Sequence, residues 1–67
     1  MSEPWASLYR QVWDDLVRYI DRRIWDPERA QELAQETFIR ALREEETPDS
    51  PRAWLFTVAA NLARDEA

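Results

Sequence analysis

PWASLYRQVWDDLVRYIDRRIW, residues 4–25, sets the fold class. Trp5, Leu8, Tyr9, Val12, Trp13, Leu16, Val17, Ile20 and Ile24 keep the i, i+3, i+4, i+7 rhythm without a miss. That rhythm lays one apolar stripe along roughly 30 Å of helix. Arg10, Asp14, Arg18 and Asp21 fall on the other side, and Asp14 with Arg18 makes a favourable i, i+4 pair.

Two further helices follow. Asp26-Pro27-Glu28 supplies an N-cap side chain, a proline at the first helical position and an acid in the first turn. The helix it starts buries Ala30, Leu33, Ala34, Thr37, Phe38, Ala41 and Leu42, and turns Glu32, Gln35, Glu36, Ile39, Arg40 and Arg43 outward. Glu44-Glu45-Glu46 opposes the helix dipole, and Pro48 disfavours helix at Thr47. Ser50-Pro51 repeats the cap-then-proline signal, and the third helix buries Leu55, Val58, Ala59 and Leu62. The expected fold is all-α, a compact three-helix bundle with helices at about 4–25, 27–45 and 51–66. Tyr19, Trp25 and Phe56 read as packing residues, and Trp54 as a residue at the rim of the bundle.

Composition narrows the chemistry. The 67 residues make one small domain without cysteine, histidine or glycine. Disulfides, thiolate or imidazole metal sites and the commonest acid–base group are therefore missing, which speaks against an enzyme, a metal centre or a cofactor. Residues 1–25 carry four acids and four arginines and no continuous apolar run, so they do not read as a signal peptide. No segment approaches the roughly 20 apolar residues of a membrane span, and the chain reads as soluble and cytoplasmic.

The net charge of −5 is unevenly placed. Residues 1–25 and 51–67 each balance to zero, whereas residues 26–50 set eight acids against three arginines. An autonomous duplex-DNA binder shows a basic face that neutralises phosphates, and this chain lacks one. It either avoids nucleic acid or meets it as part of a larger basic assembly. Every basic residue is arginine, which a GC-rich genome explains as well as any need for bidentate contacts.

The segment AQELAQETFIRAL (30–42), followed by PRAWLFTVAANLARDE (51–66), resembles region 2 of bacterial sigma factors of the extracytoplasmic-function class. The resemblance covers nearly the whole chain, with both motifs in the expected order. It implies a transcription-initiation domain that recruits RNA polymerase and helps open promoter DNA at the −10 element. By the same resemblance, Glu32, Gln35, Glu36 and Ile39 dock on the clamp coiled coil of the polymerase β′ subunit. The chemistry suits such a role, because acids and an amide pair with arginines while Ile39 gives dry contact.

Trp54, Thr57, Asn61 and Arg64 share the flank of the third helix away from Leu55 and Leu62. The resemblance makes Asn61 a reader of a base on the single-stranded non-template promoter DNA, and an asparagine amide offers a donor and an acceptor to a base edge. It also makes the loop before the helix the receiver of a flipped base, within reach of Thr47, Asp49 and Ser50. Arg43, Arg52 and Arg64 are the candidates for phosphate contacts. An anti-sigma factor is a further implied partner.

Sigma factors of this class also carry a helix-turn-helix domain that reads the −35 element. It is absent from these residues, and Ala63-Arg64-Asp65-Glu66-Ala67 holds no helix-stop signal, so residues 1–67 read as an isolated region 2. The loop before the third helix departs from the family in two respects: where it is commonly basic, this one is the acidic Glu44-Glu45-Glu46-Thr47-Pro48-Asp49-Ser50, and the aromatic and glycine residues often found there are missing. Two other readings stand beside the first. One is a helical interaction module for a basic protein unrelated to transcription. The other is a sigma-like competitor for the clamp without promoter recognition.

Overall fold

The computed structural model describes residues 5–66, which form α1 (Trp5–Ile24), α2 (Pro27–Leu42) and α3 (Pro51–Glu66). Each helix packs on the other two, giving the three-helix bundle the spacing predicts. The start of α1 expected at Pro4 lies outside the described residues. Three helices of this length share one core: Val12, Leu16 and Ile20 of α1, Ala30, Leu33, Ala34, Phe38 and Ala41 of α2, and Leu55, Ala59 and Ala63 of α3. Buried Thr37 is satisfied inside its own helix, its hydroxyl donating to the Leu33 carbonyl at 2.9 Å.

Aromatic rings close the ends. Trp5 is buried and meets half-buried Trp54 at 5.7 Å between ring centroids, so α1 is tied to α3 and Trp54 sits at the rim as expected. Tyr9 stacks on Trp13 at 5.1 Å and meets Phe38 of α2 at 5.0 Å. Tyr19 and Phe56 pack edge to face at 5.1 Å, again between α1 and α3.

The helix ends follow local chemistry. Asp26 caps α2, its Oδ1 accepting from the Arg29 amide at 3.1 Å, with Pro27 next in line. The Ser50 carbonyl accepts from the Trp54 amide at 2.9 Å and opens α3. At its C-terminus α2 ends at Leu42, three residues short of the expected boundary, with Arg43 as its C-cap. The three glutamates behind it are the reason, because negative charge beside the last free carbonyls disfavours another turn.

Several expected placements are corrected. Leu42 is 49% exposed, because α2's buried stripe closes at Ala41 and Leu42 turns toward Gln35 and Ile39. In α3 the buried line is Leu55, Ala59 and Ala63, with Val58 and Leu62 only half-buried. Two alanines at i+4 spacing allow a close helix approach that a valine face would hold off. Asp14 does not pair with Arg18; Asp15 does, at 3.6 Å. Asp21, expected to face outward, is half-buried.

Trp25 is the largest correction. It is not a packing residue but 84% exposed, and its φ of 55° lies in the left-handed region. Its amide bonds the Asp21 carbonyl at 2.7 Å, the geometry that ends a helix on a left-handed residue, usually glycine. A bulky side chain there costs about 1–2 kcal/mol, part of which glycine gives back through its freer unfolded state. Trp25→Gly is therefore expected to raise stability by about 0.5–1 kcal/mol and Tm by about 2–6 °C in a thermal melt.

Candidate functional site

The outward face of α2 begins with its cap. Asp26 and Pro27 fix the helix start, and the 3.6-residue repeat then brings Glu32, Gln35, Glu36 and Ile39 onto one strip opposite the buried Ala34–Thr37–Ala41 line. Glu32, Gln35 and Ile39 are exposed and Glu36 is half-exposed. The two acids are held within the helix, Glu32 by Arg29 at 2.9 Å and Glu36 by Arg40 at 3.3 Å. Beside them Gln35, Ile39 and Leu42 join Tyr9 and Phe38 in a shallow, mainly apolar groove between α1 and α2. Tyr9 and Leu42 are members of this groove that the sequence pattern assigns to the core. Their one signal in the sequence is position, since Leu42 follows Ile39 and Gln35 at i+3 and i+7.

On α3, Thr57, Asn61 and Arg64 are all exposed and lie on the side opposite Leu55, Ala59 and Ala63. Thr57 donates its hydroxyl to the Ala53 carbonyl at 3.0 Å. Arg64 donates from Nη2 to the Asn61 side-chain oxygen at 3.0 Å, which fixes the amide and leaves its nitrogen as a directed donor. Asp49 and Ser50 are exposed in the 43–50 connection at the other end of the helix. Ser50 and Asn61 are eleven positions apart, about 16 Å along the axis, so the two are ends of one track and not one cluster.

Arg52 does not join that track. It leans toward α1, with Nη2 3.6 Å from Asp15 and its guanidinium 5.3 Å from the centre of the Phe56 ring. Arg43 is the C-cap of α2, and Thr47 is exposed in the connection.

A long-range bridge joins the two helices. Arg29 donates from Nε to Glu66 at 2.7 Å and from Nη2 at 3.1 Å, a two-point contact from the start of α2 to the end of α3. The Arg29 hydrogen bonds hold the Glu66 carboxyl below its ordinary range, and Glu66 and Glu32 together raise the Arg29 pKa. A carboxylate with a depressed folded pKa stabilises the fold above its unfolded pKa, and that contribution is lost as pH falls through the folded value. Thermal melts are therefore expected to show the unaltered chain losing more stability below about pH 4.5 than Glu66→Gln, with the difference shrinking in high salt. Among the described residues, no three His, Cys, Asp or Glu side chains converge on a metal position.

The model of the family described as sigma-70 region 2 matches residues 8–67. The chain belongs to that family. It is 41% identical over 69 residues to the ECF RNA polymerase sigma factor SigL of Mycobacterium tuberculosis, covering 91% of this chain and 39% of SigL. It is 40% identical over 56 residues to the RNA polymerase sigma factor YlaC of Bacillus subtilis, covering 79% of this chain and 32% of YlaC. It is 38% identical over 68 residues to the ECF RNA polymerase sigma factor BldN of Streptomyces coelicolor, covering 96% and 26%. This sigma-70 region 2 domain thus spans between about a quarter and two-fifths of the length of these relatives. No solved structure matches it significantly. Among the described residues, no helix is long and apolar enough to cross a membrane.

Proposed function

We propose that this domain acts in transcription initiation, by docking on RNA polymerase through α2 and holding the melted non-template −10 strand along α3. The observation that carries the reading is the pair of opposed faces. Gln35 and Ile39 line an apolar groove, with Glu32 and Glu36 on the same strip of α2 beside it, while Thr57, Asn61 and Arg64 form a donor-rich strip on another helix. The groove and its acidic rim suit a basic, apolar-seamed helical partner, the β′ clamp coiled coil. Asn61, oriented by Arg64, reads a base edge, Arg64 also meets phosphate, and Asp49 and Ser50 take the strand at the other end of the track. With a net charge of −5, most of the electrostatic affinity for DNA comes from the polymerase and from the −35-reading domain that such factors carry. An anti-sigma factor covering these faces would hold the domain inactive in the cytoplasm.

The acidic Glu44–Glu46 run favours a second reading, occupation of the clamp without promoter recognition. The two separate in one experiment, selection of −10 strands from a randomised pool by polymerase core carrying this domain. Sequence preference is expected with the unaltered chain. Asn61→Ala is expected to flatten that preference at one position by about 1–3 kcal/mol, roughly five- to 150-fold. A pool that stays random with the unaltered chain would support the competitor instead.

A further inference from the structure

On the flank of α3 away from Asn61, a cleft of about 250 Å³ opens between α1 and α3, lined by Asp15, Arg18, Tyr19, Arg22, Arg52 and Phe56. Three of the nine basic residues of an acidic chain meet here against one carboxylate. Asp15 stands 3.6 Å from both Arg18 Nη2 and Arg52 Nη2, too far for a hydrogen bond, so it draws the two guanidiniums together across the cleft without saturating either. Arg22 has no ion-pair partner among the described residues. The walls are aromatic: Phe56 and Tyr19 pack at right angles with ring centroids 5.1 Å apart, and the Arg52 guanidinium lies over the Phe56 ring at 5.3 Å. Converging guanidiniums recognise phosphate oxygens, and a ring face that carries a guanidinium also suits a nucleobase.

We propose that this cleft is a second contact for single-stranded nucleic acid. Arg18, Arg22 and Arg52 hold one phosphodiester group, and an unpaired base stacks on Phe56 as Arg52 turns to the phosphate. A duplex does not fit the role, because its bases offer no free face to Phe56. The identity of the strand as promoter DNA rests on the reading proposed above; the cleft's preference for an unpaired strand does not. Asp15 is the internal competitor of the phosphate, so removing its charge strengthens binding.

The test is a titration of the isotope-labelled 67-residue chain with a 12-nucleotide single-stranded DNA at low ionic strength, followed by nuclear magnetic resonance. The arginine side-chain signals of Arg18, Arg22 and Arg52 and the Phe56 ring signals are expected to move together. Arg18→Ala/Arg22→Ala replaces two exposed side chains, so the fold is kept. It is expected to weaken binding about tenfold and to lower the salt slope by about 1.4, at roughly 0.7 for each arginine charge removed from the strand. Asp15→Asn is expected to tighten binding about threefold. Unchanged affinity in the double variant overturns the proposal, as does a silent cleft, whether or not Thr57, Asn61 and Arg64 move. Movement confined to those three would leave the −10 strand reading standing without the cleft. Movement confined to the cleft would support the cleft and count against the α3 track. A second titration, with inorganic phosphate, overturns the strand assignment if phosphate alone moves the same signals with equal affinity.

Discussion

Leu16→Ala is expected to leave this domain largely unfolded at 37 °C. Leu16 is fully buried at the middle of α1, the helix whose apolar stripe meets both α2 and α3. Truncating a buried leucine to alanine costs about 2–5 kcal/mol, part for lost transfer energy and part for the cavity left behind. A domain below about 70–80 residues draws only about 3–5 kcal/mol from one core, so the loss consumes most of the margin. The neighbours cannot close the gap easily, because Val12 and Ile20, one turn away on either side, are themselves fully buried. Circular dichroism through a thermal ramp measures the outcome, and a cooperative melt within a few degrees of the unaltered chain would show that the core is not organised around α1.

The second large effect falls on binding. Ile39→Ala/Leu42→Ala is expected to weaken binding to the β′ clamp coiled coil about 30–100-fold while leaving the melting temperature nearly unchanged. Both side chains are close to half exposed, Ile39 at 43% and Leu42 at 49%, so the fold draws little from them. In a docked complex they become the dry centre of the groove that Tyr9 and Phe38 floor. Residues in such a position carry about 1 to 1.4 kcal/mol each, and every 1.4 kcal/mol is tenfold in affinity. Titration calorimetry separates this from a folding defect. A loss below about threefold would place the contact elsewhere on α2.

The helices were legible because local signals agree with one another. Nine apolar positions in register place α1, and two cap-then-proline pairs place the starts of α2 and α3. The exposed strip of α2 was legible for the same reason, since acids, an amide and arginine alternate with a core line of alanine, leucine and phenylalanine. In α3, by contrast, Trp54, Leu55, Phe56 and Val58 crowd the first turns, so apolar character surrounds the helix. Periodicity then cannot choose between a Val58–Leu62 face and the Ala59–Ala63 face that packs closely enough to be buried.

What the sequence withheld depends on distance. Trp25 reads as a core residue by type, and only the backbone shows that two residues between α1 and α2 force a left-handed turn there. Asp14 and Asp15 are both placed to pair with Arg18, at i+4 and i+3. The packing of α3 brings Arg52 within 3.6 Å of Asp15, which gives that carboxylate a second positive neighbour. The Arg29–Glu66 bridge spans 37 residues, and the Arg18–Arg22–Arg52 cleft joins two helices, so neither has a local pattern to find.

The most direct test of the docking role is binding of the folded chain to the isolated β′ clamp coiled coil, compared with Gln35→Ala/Glu36→Ala. Gln35 is exposed and Glu36 half-exposed, and both lie outside the core, so circular dichroism should find the double variant folded. Binding by the unaltered chain that the double variant loses is the expected result. A folded, unaltered chain that fails to bind, or a double variant that binds equally well, would contradict the assignment of α2 as the polymerase-docking face.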